Sequence, residues 1–357
     1  MLSRTLNILA TAAAAAALLV LTWPQLFDLH NTIGIAHVVS LRGLVVAASA
    51  AVLVVLLLLA LVRPLRRMVG TLAVLVVLFA AANAGILAFR GVGQPPGGAA
   101  ATAAEAPSAP TGPEAITVLS WNTLGDAPGA AAIAALALAE GADVVALPET
   151  TEATGVAIAE AMRTADQPMW VHTIAFDEVS KARSTTLLIS PELGDYTVSS
   201  EVGAGPPGNT NVLPTVVATP VSGDGPTIIA VHAVAPIQWE MSNWRSDLDW
   251  LATQCAGEDV IMAGDFNATI DHMAGRSSTG AAALGQCEDA AVSASAGAVG
   301  TWPTNAPALL GSPIDHVLAT PNWEAERVSV IESSDNAGSD HRPIVARLVH
   351  GGDGAAG

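Results

Sequence analysis

Three apolar runs, Leu6–Trp23, Gly43–Val62 and Val69–Phe89, contain no charged residue. Each approaches the roughly 20 residues that carry an α-helix across the hydrocarbon core of a bilayer. Runs of that length and purity are hard to hide as core helices of a water-soluble domain. All three lie in the first ninety residues, and they divide the chain into parts suited to unlike solvents. Residues 1–90 carry six arginines against one acid, Asp28, a formal charge of +5. The remainder carries eight Lys+Arg against 31 Asp+Glu, a formal charge of −23.

The expectation for residues 1–90 is therefore a membrane anchor of three transmembrane helices. Arg4 ahead of the first run also suits a cleaved signal peptide. However, no clean small-residue cleavage site lies between Leu21 and the polar loop, and two further runs follow. An uncleaved signal-anchor is the preferred reading. Arg63, Arg66 and Arg67 crowd the short loop between the second and third runs, and loops rich in Lys and Arg stay in the cytoplasm. Everything after Phe89 is then extracytoplasmic, in a multi-pass protein of the cell membrane. Arg42 and Arg90 fall on the outer side, against that rule. Cys255 and Cys287, the two cysteines of the chain, fit the placement. In an oxidising compartment they are expected to pair and to close a loop of about thirty residues.

Residues 91–114 are rich in Pro, Gly, Ala, Ser and Thr without apolar periodicity, which predicts a flexible linker. Residues 351–357 read as a disordered tail. Between them, residues 115–350 suffice for one α/β domain. Short apolar runs predict strands at Ile116–Trp121, Val144–Leu147, Trp170–Phe176, Thr185–Ser190, Thr215–Val221, Thr227–His232, Asp259–Ala263, Asp315–Ala319, Arg327–Ile331 and Pro343–Val349. Helices are expected at Ala130–Glu140, at Gly155–Thr164 and along the Ile237, Met241, Trp244, Leu248, Leu251 face. Short Gly/Pro turns between several strands favour mixed, largely antiparallel sheets.

Polar groups gather at six strand ends: Asn122, Glu149, His232, Asp265 with Asn267, Asp315, and Asp340 with His341. Strand ends are where α/β proteins build active sites. Taken singly, each has a structural reading. Asn122 could cap a turn, Glu149 could be a solvated loop acid, His232 a core histidine, Asp315 an unpartnered strand-end acid. Asp265-Phe266-Asn267 could be an Asx turn, and Asp340-His341 a turn pair. Their joint occurrence in one order argues for a site.

In that order, with Gly264-Asp265-Phe266-Asn267, Gly300-Thr301-Trp302-Pro303, Ile314-Asp315-His316 and Ser339-Asp340-His341, the chain resembles the endonuclease/exonuclease/phosphatase superfamily over about residues 115–350. The resemblance implies two mixed sheets packed face to face with helices outside, a four-layer sandwich. It also implies a metal-dependent phosphoric ester hydrolase. A hard cation such as Mg²⁺, or Mn²⁺, takes oxygen ligands and keeps several waters, so one or two carboxylates suffice. Glu149 is the expected metal ligand, supported by Asn122 and Asp340. Asp265 would orient or deprotonate the attacking water and Asn267 would position it. His341, with Asp315 fixing its tautomer, would sit on a phosphoryl oxygen. His232 would be a second phosphate contact or a proton donor to the leaving group. No role falls to His272 or His316, expected at the surface or behind the site. Arg183 faces either substrate or solvent.

The outer part contains one lysine, Lys181, and no Lys/Arg cluster in its loops. Affinity for nucleic acid rests largely on such residues, so a nucleic-acid substrate is disfavoured. Three spans followed by an outward domain of this kind are similar to a membrane-anchored subgroup that includes a bacterial teicoplanin-resistance membrane protein. That similarity implies a lipid-linked, polyprenyl pyrophosphate substrate with the lipid bilayer as partner. The alternatives are an extracytoplasmic nuclease or phosphodiesterase using the same residues, and a non-catalytic binding module.

Overall fold

The computed structural model describes residues 2–93, 115–177, 179–200, 205–278 and 282–351. Most of the expected linker (94–114) and tail (352–357) lie outside the described residues. The strands are, in chain order, β1 (Ala115–Ser120), β2 (Val144–Pro148), β3 (Trp170–Ala175), β4 (Ser184–Ile189), β5 (Tyr196–Ser199), β6 (Val216–Pro220) and β7 (Thr227–His232). They continue with β8 (Val260–Asp265), β9 (Ala283–Leu284), β10 (Cys287–Asp289), β11 (Asp315–Ala319), β12 (Trp323–Val330) and β13 (Ile344–His350). Two mixed sheets result, ordered β12-β13-β1-β2-β4-β3 and β5-β6-β7-β8-β11-β10-β9. Among the described strands, only the β1–β2 and β7–β8 pairs are parallel.

Side-chain alternation explains the layering. In β1, β2, β7 and β8, one set (Ile116, Val118, Val144, Ala146, Ile228, Ala230, Ile261, Ala263) fills the core between the sheets. The other set faces outward and is covered by helices. Leu119, Val145 and Leu147 meet the helices Ala130–Glu140 and Glu152–Thr164, while Ile229, Val231 and Met262 meet Met241–Gln254. Strands covered on both faces read as continuous apolar runs rather than as alternating ones. Each buried aliphatic side chain in them stabilises the fold by about 1.5–3 kcal/mol.

Several short elements escaped the sequence reading. They are β5, β9, β10 and the one-turn helices Ile270–Met273 and Ala290–Ser293. β12 begins at Trp323 rather than Arg327, because Glu324 and Glu326 on an edge strand break the apolar signal. The Cys255–Cys287 disulfide is present, with Cα atoms 5.8 Å apart.

The N-terminal part forms helices at Leu2–Thr22, Ile35–Ser40, Arg42–Leu59 and Arg66–Arg90. Among the described residues, two helices are long and apolar enough to cross a membrane, Arg42–Leu59 and Arg66–Arg90. The first expected span corresponds to a shorter apolar helix, Asn7–Thr22, among the described residues, so three spans are not shown.

Gly91–Gly93, expected to begin a mobile linker, instead touch the C-terminal domain. Gly93 N donates to Ser295 O at 3.0 Å and Ala298 N donates to Gly91 O at 2.8 Å. The Arg42 and Arg90 guanidinium groups both pair with the buried carboxylate of Asp271 at 2.8 Å.

Candidate active site

Backbone register sets the spacing of the site. His232 on β7 is paired with Asp265 on β8, and Asp265 with Asp315 on β11. Three candidate side chains therefore stand on one rung of the second sheet, each a strand spacing of about 4.8 Å from the next. Gly264 makes the close approach possible. It has a φ of +152°, and a Cβ there would lie 2.0 Å from Val231 O.

The first sheet brings the opposite wall. Asn122 leaves the end of β1, Glu149 the end of β2, and the Ser339–His341 turn precedes β13. Ser339 ties that turn down: its Oγ donates to Asn122 O at 2.6 Å and accepts from His341 N at 3.0 Å. Trp121 Nε1 donates to His341 O at 2.8 Å. Asp340 Oδ2 accepts from Trp302 Nε1 at 3.0 Å. Thr301 Oγ1 accepts from the backbone N–H groups of Ile314 and Asp315, at 3.2 and 3.1 Å. Glu149 and Asn267 are held at φ values of 59° and 47°. For glutamate this left-handed conformation is costly, and such strain concentrates at functional positions.

All eight expected site residues meet in this one cleft. His341 Nδ1 lies 2.8 Å from Asp315 Oδ2 and its Nε2 lies 3.8 Å from Asp265 Oδ2. Burial pulls the imidazole toward neutrality, but the carboxylates of Asp315 and Asp265 outweigh it and raise the pKa to about 10. Asp265 is itself pushed up to about 7, because burial outweighs the charge of His341. Burial, reinforced by the charge of His341, drives His232 down to about 3, so that ring is neutral. Burial also raises Glu149, and the nearby charge of Asp340 raises it further.

Asn122 differs from expectation. Its Nδ2 bridges Glu149 Oε1 at 3.2 Å and Asp265 Oδ2 at 3.0 Å, while its Oδ1 accepts from Leu124 N at 3.0 Å. A cation beside Glu149 would require the amide oxygen to turn inward. Asn267 points its Nδ2 to Ala233 O at 2.9 Å and to Asp265 Oδ2 at 3.2 Å. Its carbonyl accepts from Trp244 Nε1 at 3.0 Å.

Two groupings have the chemistry of a cation site. Ligand atoms of Asp265, Asp315 and His341 lie within 4.8 Å of one another. In that grouping His341 Nδ1 is already engaged by Asp315 Oδ2 at 2.8 Å. Glu149 and Asp340 fit better. Asp340 Oδ1 is buried with no partner among the described residues, and the charge of Asp340 helps to raise the pKa of Glu149.

Residues outside the expectation also matter. Ser339, Thr301 and Trp244 fix the backbone of the site and Trp302 the Asp340 side chain; the Gly-Thr-Trp-Pro and Ser-Asp-His motifs were the sequence signal for all but Trp244, which lay on the expected helix face. His316, given no role, is fully enclosed and bridges Asp289 Oδ2 at 2.5 Å and Ala268 O at 2.8 Å. His272 is buried as well, not at the surface. Arg183 reaches the carbonyls of Val212 and Asn211 at 3.2 and 3.1 Å rather than the cleft.

Comparison with known proteins agrees with this geometry. The profile described as the Endonuclease/Exonuclease/phosphatase family matches residues 119–341. Among solved structures, an endonuclease/exonuclease/phosphatase from Beutenbergia cavernae is similar, at 20% identity and a TM-score of 0.51 over 67% of this chain and 72% of that one. Humanized D. rerio TDP2 matches at 17% identity and a TM-score of 0.50, over 66% of this chain and 99% of that one. At such identities the likeness is one of fold. Among curated protein sequences none is similar enough to count as a relative. The comparisons lend no support to disfavouring nucleic acid on the lack of a Lys/Arg cluster.

Proposed function

Because the chain belongs to the endonuclease/exonuclease/phosphatase family, whose members hydrolyse phosphate esters with a divalent metal, we propose that it is a Mg²⁺-dependent phosphohydrolase anchored in a membrane. The observation that carries this reading is the convergence of Glu149, Asp265, Asp315 and His341 on one cleft from four separate strand ends.

Each residue has a distinct part. Glu149 and Asp340 would hold the cation, with Asn122 joining after rotation of its amide. When bound, a divalent cation neutralises charge on the phosphoryl oxygens. Asp265, poised near neutrality, takes the proton from the attacking water, since a general base works best with a pKa near the working pH. The amide group of Asn267 fixes that carboxylate against the water. His341, charged and oriented by Asp315, donates to a phosphoryl oxygen as negative charge builds. His232 stays neutral and contributes a hydrogen bond to the phosphate or leaving oxygen rather than a charge. The bond that forms joins the water oxygen to phosphorus, and the bond that breaks frees the leaving oxygen.

The membrane placement rests on the outward-facing apolar side chains of the N-terminal helices, Leu57, Leu58, Val74 and Leu78 among them. The 25-residue helix Arg66–Arg90 is about 37 Å long at 1.5 Å per residue, enough to cross a ~30 Å core. A first helix that is marginal by itself can complete a third span by packing on Arg66–Arg90, which it contacts. The finer substrate reading, a polyprenyl pyrophosphate, follows from that anchor, which keeps the site near lipid headgroups. The test is phosphate release from undecaprenyl pyrophosphate by the purified protein with Mg²⁺ or Mn²⁺, beside a soluble monoester, a diester and nicking of supercoiled plasmid. Diester cleavage without pyrophosphate turnover would replace the lipid reading with the nuclease one. Glu149→Ala should remove activity on every substrate while leaving the fold intact, and a fully active variant would contradict its role.

A further inference from the structure

The catalytic loop and the anchor share a buried ionic cluster. Asp271 lies four residues after Asn267 and is almost wholly enclosed. Arg42, the first residue of one apolar helix, donates Nε to its Oδ2 and Nη2 to its Oδ1, both at 2.8 Å. Arg90, the last residue of the next, donates Nη1 to Oδ2 at 2.9 Å. Gln25 Nε2 adds a bond to Oδ1 at 2.8 Å. Arg42 is itself secured by Asn83 Oδ1 at 2.6 Å and by Thr22 O at 3.1 Å. One carboxylate thus gathers the same end of all three apolar helices. Around it, His272 Nε2 reaches Ala36 O at 3.1 Å, His30 Nε2 reaches Ala274 O at 3.1 Å, and Ser40 Oγ meets Ser312 Oγ at 2.6 Å. Gly43 packs so closely that a Cβ would fall 1.7 Å from Leu309 O.

We infer that Asp271 is a positioning residue, a clamp that locks the catalytic domain onto the helix ends and holds the cleft at the level of the lipid headgroups. This rests on the membrane placement proposed above. A free tether over residues 94–114 would permit roughly 70 Å of travel, and the clamp removes that freedom. Four residues span at most about 14 Å, so Asn267 lies within that distance of Asp271, and the helix ends lie one arginine side chain further on. The headgroup layer on each side of a bilayer is itself about 5–8 Å thick. A phosphate at the lipid surface is therefore within reach of the cleft, in the membrane that the protein occupies and not in a neighbouring one. The substrate class that fits is an amphiphile with a phosphate or pyrophosphate headgroup, engaged in cis. The cluster also accounts for Arg42 and Arg90 lying on the outer side, since both charges are enclosed against Asp271 rather than free in a loop.

The experiment uses the full chain in vesicles with spin labels on Leu61→Cys and Val221→Cys, exposed sites on the anchor and the catalytic domain. Pulsed dipolar spectroscopy should give one narrow distance distribution, broadened by Asp271→Asn. Gly43→Val, which forces the surfaces apart without touching the charges, should broaden it too. In parallel, hydrolysis of a long-chain polyprenyl pyrophosphate in the same vesicles is compared with that of a short-chain, water-soluble prenyl pyrophosphate. The ratio of the two rates should fall at least tenfold in both variants, and long-chain substrate in separate vesicles should be spared. A broad distribution in the parent protein would overturn the clamp, as would a width and ratio unmoved by both variants. Equal cleavage in separate vesicles would overturn action in cis. If neither pyrophosphate is cleaved, the substrate reading falls, and the label distances alone decide the clamp.

Discussion

Replacing Asp315 by Asn keeps the shape of the His341 partner and removes its charge. The pKa of His341 stands at about 10 against an ordinary value of 6.5, with Asp315 the largest favourable contributor and Asp265 next. At 1.36 kcal/mol per pH unit the net displacement corresponds to about 5 kcal/mol. Asp315 is the nearer carboxylate, at 2.8 Å against 3.8 Å for Asp265. We assign it at least half, about 2–3 kcal/mol, or a loss of roughly 30- to 150-fold if that preference for the charged ring is used in the transition state. The direction with pH follows. A histidine whose folded value is raised stays charged until pH climbs through that value, so lowering it moves the loss of charge toward neutrality. Asp315→Asn should therefore depress kcat strongly at pH 8 and shift the alkaline limb of the pH–rate profile to lower pH by about two units. Initial rates on a soluble pyrophosphate across pH 6–10, beside the His341 ring resonances, measure both quantities. An unchanged rate with an unchanged limb would refute the charged-histidine role.

Other consequences are equally direct. His272 accepts from Thr269 N at its Nδ1, which requires the neutral ring, and burial lowers its pKa from 6.5 to about 4. That stability is complete above pH 6.5 and is lost as pH falls toward 4, by about 3 kcal/mol. Urea midpoints of the full chain at pH 7.5 and 4.5, with and without His272→Gln, should show it. Gly264→Ala places a methyl against Val231 O, so a loss of more than about 3 kcal/mol or failure to fold is expected, read by thermal melting. Opening the Cys255–Cys287 link by a Cys255→Ser, Cys287→Ser double change should lower stability by about 2–4 kcal/mol, seen as a lower denaturation midpoint with kcat retained.

The candidate set was legible because it obeys a local rule. Asn122, Glu149, His232 and Asp265 each close a buried strand, and Asp315 opens one, whose apolar run is plain in the sequence. The β7–β8–β11 rung was not legible, since which strands are neighbours depends on sheet order. The orientation of the Asn122 amide depends on Leu124 N and two carboxylates that converge only in three dimensions. Arg42 and Arg90 looked like exceptions to a charge rule for the same reason: their partner, Asp271, is some 180 to 230 positions away. Gly91–Gly93 read as tether because composition records flexibility and not the surface available to dock on.

His232, Asp265 and Asp315 owe their mutual distances to inter-strand backbone bonds, whereas the loops around them owe theirs to scattered side-chain ties. Warming should therefore loosen the mouth of the cleft before it disturbs the reacting groups. Such an enzyme would grow less discriminating toward the body of its substrate while still cleaving the same bond, and relatives could diverge in diet by rewriting loops over an unaltered rung.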